Sequence, residues 1–179
     1  AVVREAAEPH LSRGKRVDFT FAPAQDGSDA QPLVLRRPEV IHGLRNLVQN
    51  AVDFARSTVW VEGEWTPRRI IVRITDDGDG FPPGLIGRIG DPFVRARRTE
   101  PETGGRPGYE GMGLGLFIAK TLLERSGAEL SFANATDPFL APEDRPERSG
   151  AVVEAVWDTA DLVPPVAQGG LGENTRIED

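Results

Sequence analysis

The residue pattern best suited to chemistry is a glycine-rich loop that runs directly into an apolar segment, GYEGMGLGLF at residues 108–117. Gly111, Gly113 and Gly115 lack the side-chain atoms that would keep a polyphosphate away from the backbone. If a helix begins here, its free amide groups point at such an anion. The pattern predicts a phosphate-binding loop. A flexible turn before an ordinary core helix is the alternative, because no lysine follows as in a P-loop.

A second candidate site is the acidic stretch DDGDG at residues 76–80, which directly follows a predicted strand. Asp76 would stand at the tip of that strand, and Gly78 and Gly80 allow the backbone to turn sharply beside a flat ligand. A carboxylate fixed in this way accepts a hydrogen bond from an exocyclic amine and thereby selects adenine. An acidic turn and a calcium loop are alternatives, but the spaced ligands and final glutamate of an EF-hand are missing.

The third candidate is the polar face of a helix predicted from about Val40 to Arg56. At about 100° per residue, its apolar residues gather on one side and its polar residues on the other. The apolar side contains Leu44, Leu47, Val48, Ala51 and Ala55, and the polar side His42, Asn46, Asn50 and Asp53. Asparagine competes for backbone hydrogen bonds and is a poor helix former, so two of them four residues apart suggest a ligand or partner. A solvated face is the alternative, equally supported for Asn46 alone.

Alternating or periodic segments predict the elements that position these candidates. The predicted strands are Lys15–Phe21, Pro32–Leu35, Thr58–Glu64, Arg69–Thr75, Glu129–Ala133 and Ala151–Trp157. The predicted helices are the end of one before Pro9, Val40–Arg56, a short one at Leu85–Gly90, and Leu114–Arg125 with Gly127 as its C-cap. Residues 95–111 contain almost no apolar side chain, which is typical of a functional lid or a disordered segment.

Composition excludes several classes of function. The 179 residues carry a net charge of −7, which argues against a general nucleic-acid surface. With no cysteine and two histidines, disulfides, thiol chemistry and sulfur- or histidine-rich metal centres are excluded. No run approaches the roughly twenty apolar residues of a membrane span, and the start of the chain lacks a signal-peptide pattern. We therefore expect one soluble domain without direct contact to nucleic acid or membrane.

Four segments in a fixed order closely resemble the N, G1, F and G2 boxes of the ATP-binding catalytic domain of sensor histidine kinases. They are NLVQNA (46–51), DDGDG (76–80), DPFVR (91–95) and GMGLGL (111–116). The resemblance covers roughly Lys15 to Asp158, and the four boxes together are far more specific than any one of them. The sequence RNLVQNAVDFA at residues 45–55 further resembles the corresponding segment of the redox-responsive RegB/PrrB kinases of photosynthetic proteobacteria.

The resemblance implies a fold and a domain organisation. The fold would be a Bergerat-type α/β sandwich, in which a mixed β-sheet is covered on one face by helices and an ATP lid closes over the nucleotide. Residues 15–163 would form the ATP-binding catalytic domain. Residues 1–14 would be the end of a preceding dimerisation helix and its linker, and residues 164–179 a flexible tail.

The resemblance also implies roles for the residues of the first two boxes. Asn50 would be the catalytic and metal-binding residue, coordinating Mg²⁺ that bridges the phosphates of ATP, and Asn46 would assist directly or through water. Asp76 would bind the adenine amino group, with Gly78 and Gly80 letting the base lie close.

The remaining boxes would close the site over the phosphates. Residues 95–110 would be the lid, anchored by Phe93 and hinged on residues 111–115, where the amides of Gly111, Gly113, Leu114 and Gly115 meet the phosphates. Two positions depart from the family pattern. Ala151 stands where many relatives have threonine near the adenine, and Asp53 stands where many carry a basic residue that approaches the phosphates.

The implied activity is transfer of the γ-phosphate of Mg·ATP to a histidine on a dimerisation domain, and the implied second partner is a response regulator. Neither His10, followed by Leu-Ser-Arg, nor His42, followed by Gly-Leu-Arg, resembles that acceptor, so the acceptor is expected in the preceding segment. The chain would then be the cytoplasmic portion of a membrane-anchored sensor. The alternatives are a serine kinase of the anti-sigma type, an ATP-gated clamp with further domains, and a nonenzymatic nucleotide-binding or scaffolding domain.

Overall fold

The alternating segments form a mixed β-sheet in the computed structural model, which describes residues 1–26, 29–82, 84–89, 112–136 and 140–165. Within these ranges the strands are β1 (Arg16–Pro23), β2 (Thr58–Trp65), β3 (Arg69–Asp76), β4 (Glu129–Asn134) and β5 (Ala151–Asp158). Their order in the sheet is β1-β2-β3-β5-β4. The pair β1 and β2 is parallel and the other pairs are antiparallel, so the predicted mixed sheet is confirmed.

Helices cover one face of this sheet, as predicted. They are α1 (Val2–Ala7), α2 (Pro38–Phe54), α3 (Met112–Arg125) and the short α4 (Thr159–Leu162), with single 3₁₀ turns at Glu8–His10, Ile86–Arg88 and Pro142–Asp144. None of the helices within the described ranges is long and apolar enough to cross a bilayer. The predicted domain boundaries at residues 14/15 and 163/164 stay predictions, and most of the predicted tail lies outside the described residues.

The core lies between the sheet and the helices α2 and α3. Side chains alternate along a strand, so the paired residues Val61 and Ile74, and Ile74 and Val153, point to the same face. That face packs against the buried apolar side of α2 and against α3, in one cluster. Its most deeply buried members include Leu44, Val48, Val59, Val61, Ile74, Leu116, Leu123 and Trp157. Burying each such aliphatic side chain stabilises the fold by about 1.5–3 kcal/mol.

The predicted strand Pro32–Leu35 is wrong, because residues 31–37 have no regular structure. Leu33 is 78% exposed, and the amide of Leu35 donates to the carbonyl of Leu162 at 2.7 Å instead of joining the sheet. The alternation of a four-residue run that begins with proline is too short to distinguish a strand from an extended segment along another element.

Helix α2 begins and ends two residues before the predicted bounds, for identifiable reasons. Pro38 fills the first helical position, where its missing N–H costs nothing. At the other end, the carboxylate of Asp77 accepts hydrogen bonds from the amides of Arg56, Ser57 and Thr58, at 2.7–3.1 Å. The Lys15 ammonium donates to the carbonyls of Val52 and Ala55, at 2.7 and 2.5 Å. These contacts hold the end of α2 beside the ends of β1 and β3.

Candidate functional site

Asp76 is the last residue of β3 and is 2% exposed. Its Oδ1 accepts hydrogen bonds from the amides of Gly78, at 2.8 Å, and Ala151, at 3.2 Å. Burial raises the pKa of this carboxyl to about 6, although the amides of Gly78 and Ala151 favour its ionised form. A buried carboxylate that is ionised at neutral pH is therefore fixed at the end of a central strand.

The second carboxylate oxygen of Asp76 is available to a ligand. Among the described residues, both hydrogen bonds to this side chain reach Oδ1, and Oδ2 receives none. Oδ2 is not among the fully buried polar atoms that lack a partner in the described residues, so it reaches the surface, where a ligand can supply an N–H. The arrangement fits an exocyclic amine such as that of adenine.

Glycines shape the backbone around Asp76 by allowing close approach. A Cβ atom at Gly150 would lie 1.9 Å from Oδ1 of Asp76, and one at Gly78 would lie 2.3 Å from the carbonyl oxygen of Phe54. Gly80 has a φ of +77°, where a side chain would be strained. Gly78 thus brings the loop after β3 against the end of α2, and Gly80 brings it against the side chain of Asn134, whereas the requirement for glycine at 150 was not predicted.

The loop after β3 is also held from the other side. The Asn134 side chain accepts a hydrogen bond from the amide of Phe81 at 2.7 Å and donates one to the carbonyl of Phe81 at 2.9 Å. Phe81 itself is 1% exposed and packs edge-on against Phe132, with ring centroids 6.1 Å apart. Asn134 was not predicted, since a single asparagine at a strand end carries no distinctive sequence signal.

The three aspartates of the acidic stretch have different partners. The carboxylate of Asp77 accepts hydrogen bonds from the backbone at residues 56–58 and from the hydroxyl of Ser57. Burial raises the pKa of Asp77, but these hydrogen bonds outweigh burial and hold the pKa below its usual value. Asp79 lies 2.8 Å from Arg56 and 3.7 Å from Arg145. The part of the chain that the structure describes contains no group of three or more acidic or histidine side chains able to hold a metal ion. Asp76 is therefore the member of the stretch with a carboxylate oxygen that receives no hydrogen bond from the described residues.

Asn46, Asn50 and Asp53 share one face of α2, as predicted, since they are separated by four and three residues. Asn46 donates its amide to the carbonyl of His42 at 2.8 Å, one turn back on its own helix. Asn50 is half-buried and has no hydrogen-bond partner within the described ranges. Asp53 forms an ion pair with Arg13, with 2.8 Å between Oδ1 and Nη1. The amide of Asn50 is thus free for a ligand, whereas the other two side chains already have partners.

The predicted phosphate loop is described in part. Helix α3 begins at Met112, so Gly113, Leu114 and Gly115 lie in its first turn, where backbone amides lack helical partners. Leu114 is 40% exposed, and no atom of the described residues lies within 4 Å of the position that a Cβ of Gly115 would take. The predicted site residues Phe93 and Gly111, and the predicted lid at 95–110, lie outside the described residues.

Two cavities of about 340 and 260 Å³ occur elsewhere on the sheet. The larger one is lined by residues of β1, β2 and β3, including Glu62 and Arg73. The smaller one lies between the start of the chain, the extended segment before α2, and β2 and β3. Neither cavity is lined by a predicted site residue. The candidate site is therefore the surface between Asp76, the polar face of α2 and the start of α3.

The family match identifies the class of domain to which this fold belongs. Residues 36–161 match the family model of the histidine kinase-, DNA gyrase B- and HSP90-like ATPases, and the chain belongs to that family. It is 68% identical over 177 residues to the sensor histidine kinase RegB of Cereibacter sphaeroides, covering 99% of this chain and 38% of RegB. The predicted class, a catalytic domain of the sensor histidine kinase type close to RegB, is confirmed by these matches.

Solved structures show the same fold. The mycobacterial sensor histidine kinase MprB superposes with a TM-score of 0.60 at 19% identity, covering 92% of this chain and 95% of that one. Full-length ShkA, solved in complex with AMPPNP, superposes with a TM-score of 0.59 at 19% identity, covering 92% of this chain and 30% of ShkA. The Bergerat-type sandwich predicted from the four boxes is thereby confirmed.

Proposed function

We propose that this chain is the catalytic and ATP-binding domain of a two-component sensor histidine kinase. It would bind Mg·ATP and transfer the γ-phosphate to a histidine on a dimerisation domain. The observation that carries this proposal is the carboxylate of Asp76, which is buried, fixed by two backbone amides at Oδ1 and free at Oδ2. The ShkA complex with AMPPNP supports a nucleotide as the ligand of this fold.

At the adenine end, Asp76 would accept the exocyclic amine of the base through Oδ2. No described residue donates a hydrogen bond to Oδ2, so the ligand would add a hydrogen bond there without displacing one made by the protein. Gly78 and Gly80 let the loop pack closely against Phe54 and Asn134, which would fix the backbone beside which the base lies. Ala151 contributes its amide to Asp76 but offers no hydroxyl to the base.

At the phosphate end, Asn50 would bind Mg²⁺ through its amide oxygen, with Asn46 close by on the same face of α2. Mg²⁺ held there would supply positive charge that offsets the negative charge developing during phosphoryl transfer. The amides of Gly113, Leu114 and Gly115 at the start of α3 would bind phosphate oxygens. Phe93, Gly111 and residues 95–110 would complete the closure over the nucleotide. The chain therefore supplies positioning and charge, which phosphoryl transfer needs most.

The nucleophile would come from outside this chain. His10 is 7% exposed, and burial lowers the pKa of its ring. A buried imidazole cannot reach a bound γ-phosphate without local unfolding. We propose the histidine-containing dimerisation domain of the same protein as the acceptor, a response regulator as the next partner, and the cytoplasmic portion of a membrane-anchored, redox-responsive sensor as the setting. The chain spans 38% of RegB, so these partners belong to the whole protein.

The first test is nucleotide binding by calorimetry, with ATP and ADP, with and without Mg²⁺, followed by phosphotransfer to a separately supplied RegB-type dimerisation domain. We expect micromolar to millimolar binding by the native chain and labelling of the acceptor histidine. Asp76→Asn should weaken ATP binding about tenfold or more, because a hydrogen bond to a charged group contributes roughly 1.5–3 kcal/mol.

Asp79→Asn is the matched control, since it makes the same chemical change in the same loop, and it should bind ATP within about twofold of the native chain. If the folded native chain binds no adenine nucleotide, the kinase proposal is wrong. If it binds ATP but labels no acceptor, a nonenzymatic nucleotide-binding domain becomes the better account. Labelling of a serine instead would favour the anti-sigma type of kinase.

A further inference from the structure

An ion pair stands beside the proposed phosphate site. Asp53 lies three residues after Asn50, which places it on the next turn of the same face of α2. Its carboxylate contacts the guanidinium of Arg13 at 2.8 Å, and the two side chains are 40% and 44% exposed. Arg13 lies in the loop between the 3₁₀ turn Glu8–His10 and β1. Both charges are therefore accessible to a ligand that binds at Asn50.

The carboxylate of Asp53 alone would oppose nucleotide binding. Residues three apart on a helix have Cβ atoms about 5–6 Å apart, so the negative charge of Asp53 would face the phosphates held near Asn50. Like charges at this separation repel, even near a protein surface. A cation held against Asp53 removes this repulsion, and Arg13 is that cation.

Neighbouring contacts fix the loop that carries Arg13. Lys15 binds the carbonyls of Val52 and Ala55 at the end of α2, and the amide of Arg16 donates to the carbonyl of Ser57 at 2.8 Å. The backbone two to three residues after Arg13 is thus held against the end of the helix that carries Asp53. A fixed loop therefore holds the guanidinium of Arg13 beside the polar face of α2. The side chain does not have to move there when a ligand binds.

Arg13 also retains unused hydrogen-bond donors. A guanidinium carries five N–H donors in a planar fork that matches phosphate oxygens. Within the described residues its side chain contacts Asp53 through Nη1 and has no further hydrogen-bonding partner. An arginine held by a carboxylate on one side can bind an anion with its other donors.

We propose that Arg13 is a nucleotide-binding residue, which is oriented by Asp53 and presents its free N–H groups to the phosphates of the bound nucleotide. This inference rests on the proposed function, since it assumes phosphates beside Asn50. It assigns Asp53 the role of a positioning residue instead of an unfavourable charge. The loop before β1 then forms part of the nucleotide site, although it lies outside the four sequence boxes.

The test is an amide NMR titration of the native chain and of Arg13→Gln with ATP, ADP and adenosine. We expect Arg13→Gln to bind ATP about five- to tenfold more weakly, to bind ADP more weakly by a smaller factor, and to bind adenosine unchanged. Arg16→Gln is the matched control, because Arg16 is an exposed arginine of the same segment that pairs with Asp18 at 2.8 Å. It should bind all three ligands like the native chain.

Two further variants separate charge from structure. Arg13→Lys keeps the cation and should bind ATP within about threefold of the native chain. The exchange Arg13→Asp with Asp53→Arg restores the pair with the cation on α2, and it should bind ATP more tightly than Arg13→Gln. Amide spectra and thermal midpoints of every variant show whether it is folded.

The inference is overturned if folded Arg13→Gln binds ATP like the native chain, or if it loses ATP and adenosine affinity equally, which would indicate a purely structural pair. It is likewise overturned if Arg16→Gln weakens ATP binding as much, because the effect would then follow net charge alone. If the native chain itself binds no adenine nucleotide, the proposed function fails together with this inference. Native ATP binding with an unaffected Arg13→Gln removes only the inference.

Discussion

The two ends of the proposed nucleotide site are built in opposite ways. At the adenine end, Asp76 is 2% exposed, its Oδ1 is bound by two amides, and glycines at 78 and 150 leave no space for a Cβ atom. At the phosphate end, Asn50 is half-buried and free, and the charges of Arg13 and Asp53 are exposed. Close packing therefore fixes the geometry of the adenine end, whereas exposed charges characterise the phosphate end.

This difference separates selectivity from affinity. A buried carboxylate with one free oxygen accepts a particular hydrogen-bond donor at a particular place, because neither the side chain nor the surrounding backbone can adjust. Exposed charges attract phosphates whatever the identity of the base, and added salt screens this attraction. We therefore expect changes around Asp76 to alter folding and base selection, and changes around Arg13 to alter the affinity for phosphates.

The largest expected effect is the loss of packing at the adenine end in Gly150→Ala. A Cβ atom there would lie 1.9 Å from Oδ1 of Asp76 and 2.7 Å from the amide nitrogen of Gly78, so β5 or the loop after β3 must shift. We expect the free energy of unfolding to fall by about 2–3 kcal/mol, as in overpacked cores, and ATP binding to be lost. Thermal unfolding followed by circular dichroism measures the change.

Gly87→Ala is the control for this substitution. Within the described part of the chain, nothing lies within 4 Å of the Cβ position at Gly87, and its φ is not positive. Its unfolding midpoint should stay within about 2 °C of the native value, since an exposed substitution typically changes stability by about 0.5 kcal/mol or less. Equal midpoints for Gly150→Ala and Gly87→Ala would show that the adenine end is not fixed by packing.

A smaller effect follows from the ionisation of Asp76. Because burial raises its pKa to about 6, protonation at lower pH removes the acceptor for the base. Adenosine should therefore bind about tenfold more weakly at pH 5 than at pH 7, following the protonated fraction of one group. Adenosine is the suitable probe because it has no phosphates that titrate in this range. Affinity that does not change between pH 7 and pH 5 would exclude Asp76 as the acceptor.

The same pKa has a consequence for stability without ligand. The pKa of Asp76 in the folded chain lies above the ordinary value of 3.8 for an aspartate, so ionisation disfavours the folded state. This group's stabilising contribution is complete below about pH 4 and is lost as the pH rises through 6. At higher pH the ligand-free chain therefore carries a destabilising carboxylate, which the proposed nucleotide would use as its acceptor.

The sequence was sufficient to predict those parts of the site that depend on local pattern. The alternation in RIIVRIT placed Asp76 at a strand end, and the 3.6-residue period placed Asn46, Asn50 and Asp53 on one face of α2. Each prediction needs only the geometry of one element. The order of the four boxes then identified the family, which the match over residues 36–161 confirms.

Contacts between distant segments could not be predicted in this way. Gly150 approaches Asp76 across 74 positions, and Arg13 meets Asp53 across 40, yet neither pair leaves a periodic signal. The side chain of Asn134 forms hydrogen bonds with the backbone of Phe81, and no local sequence pattern indicates that these two segments meet. The strand predicted at Pro32–Leu35 fails for the converse reason, because local alternation does not show whether a neighbouring strand is available.

The most direct test of the central claim compares ATP with inosine triphosphate, in which a carbonyl replaces the exocyclic amine of the base. If Oδ2 of Asp76 accepts that amine, the native chain should bind ATP at least tenfold more tightly than inosine triphosphate. Asp76→Asn should reduce or reverse this preference, because the asparagine amide can donate to the carbonyl. Calorimetry gives both affinities for both proteins. Equal binding of the two nucleotides by the native chain would contradict the assignment of Asp76 as the residue that selects the base.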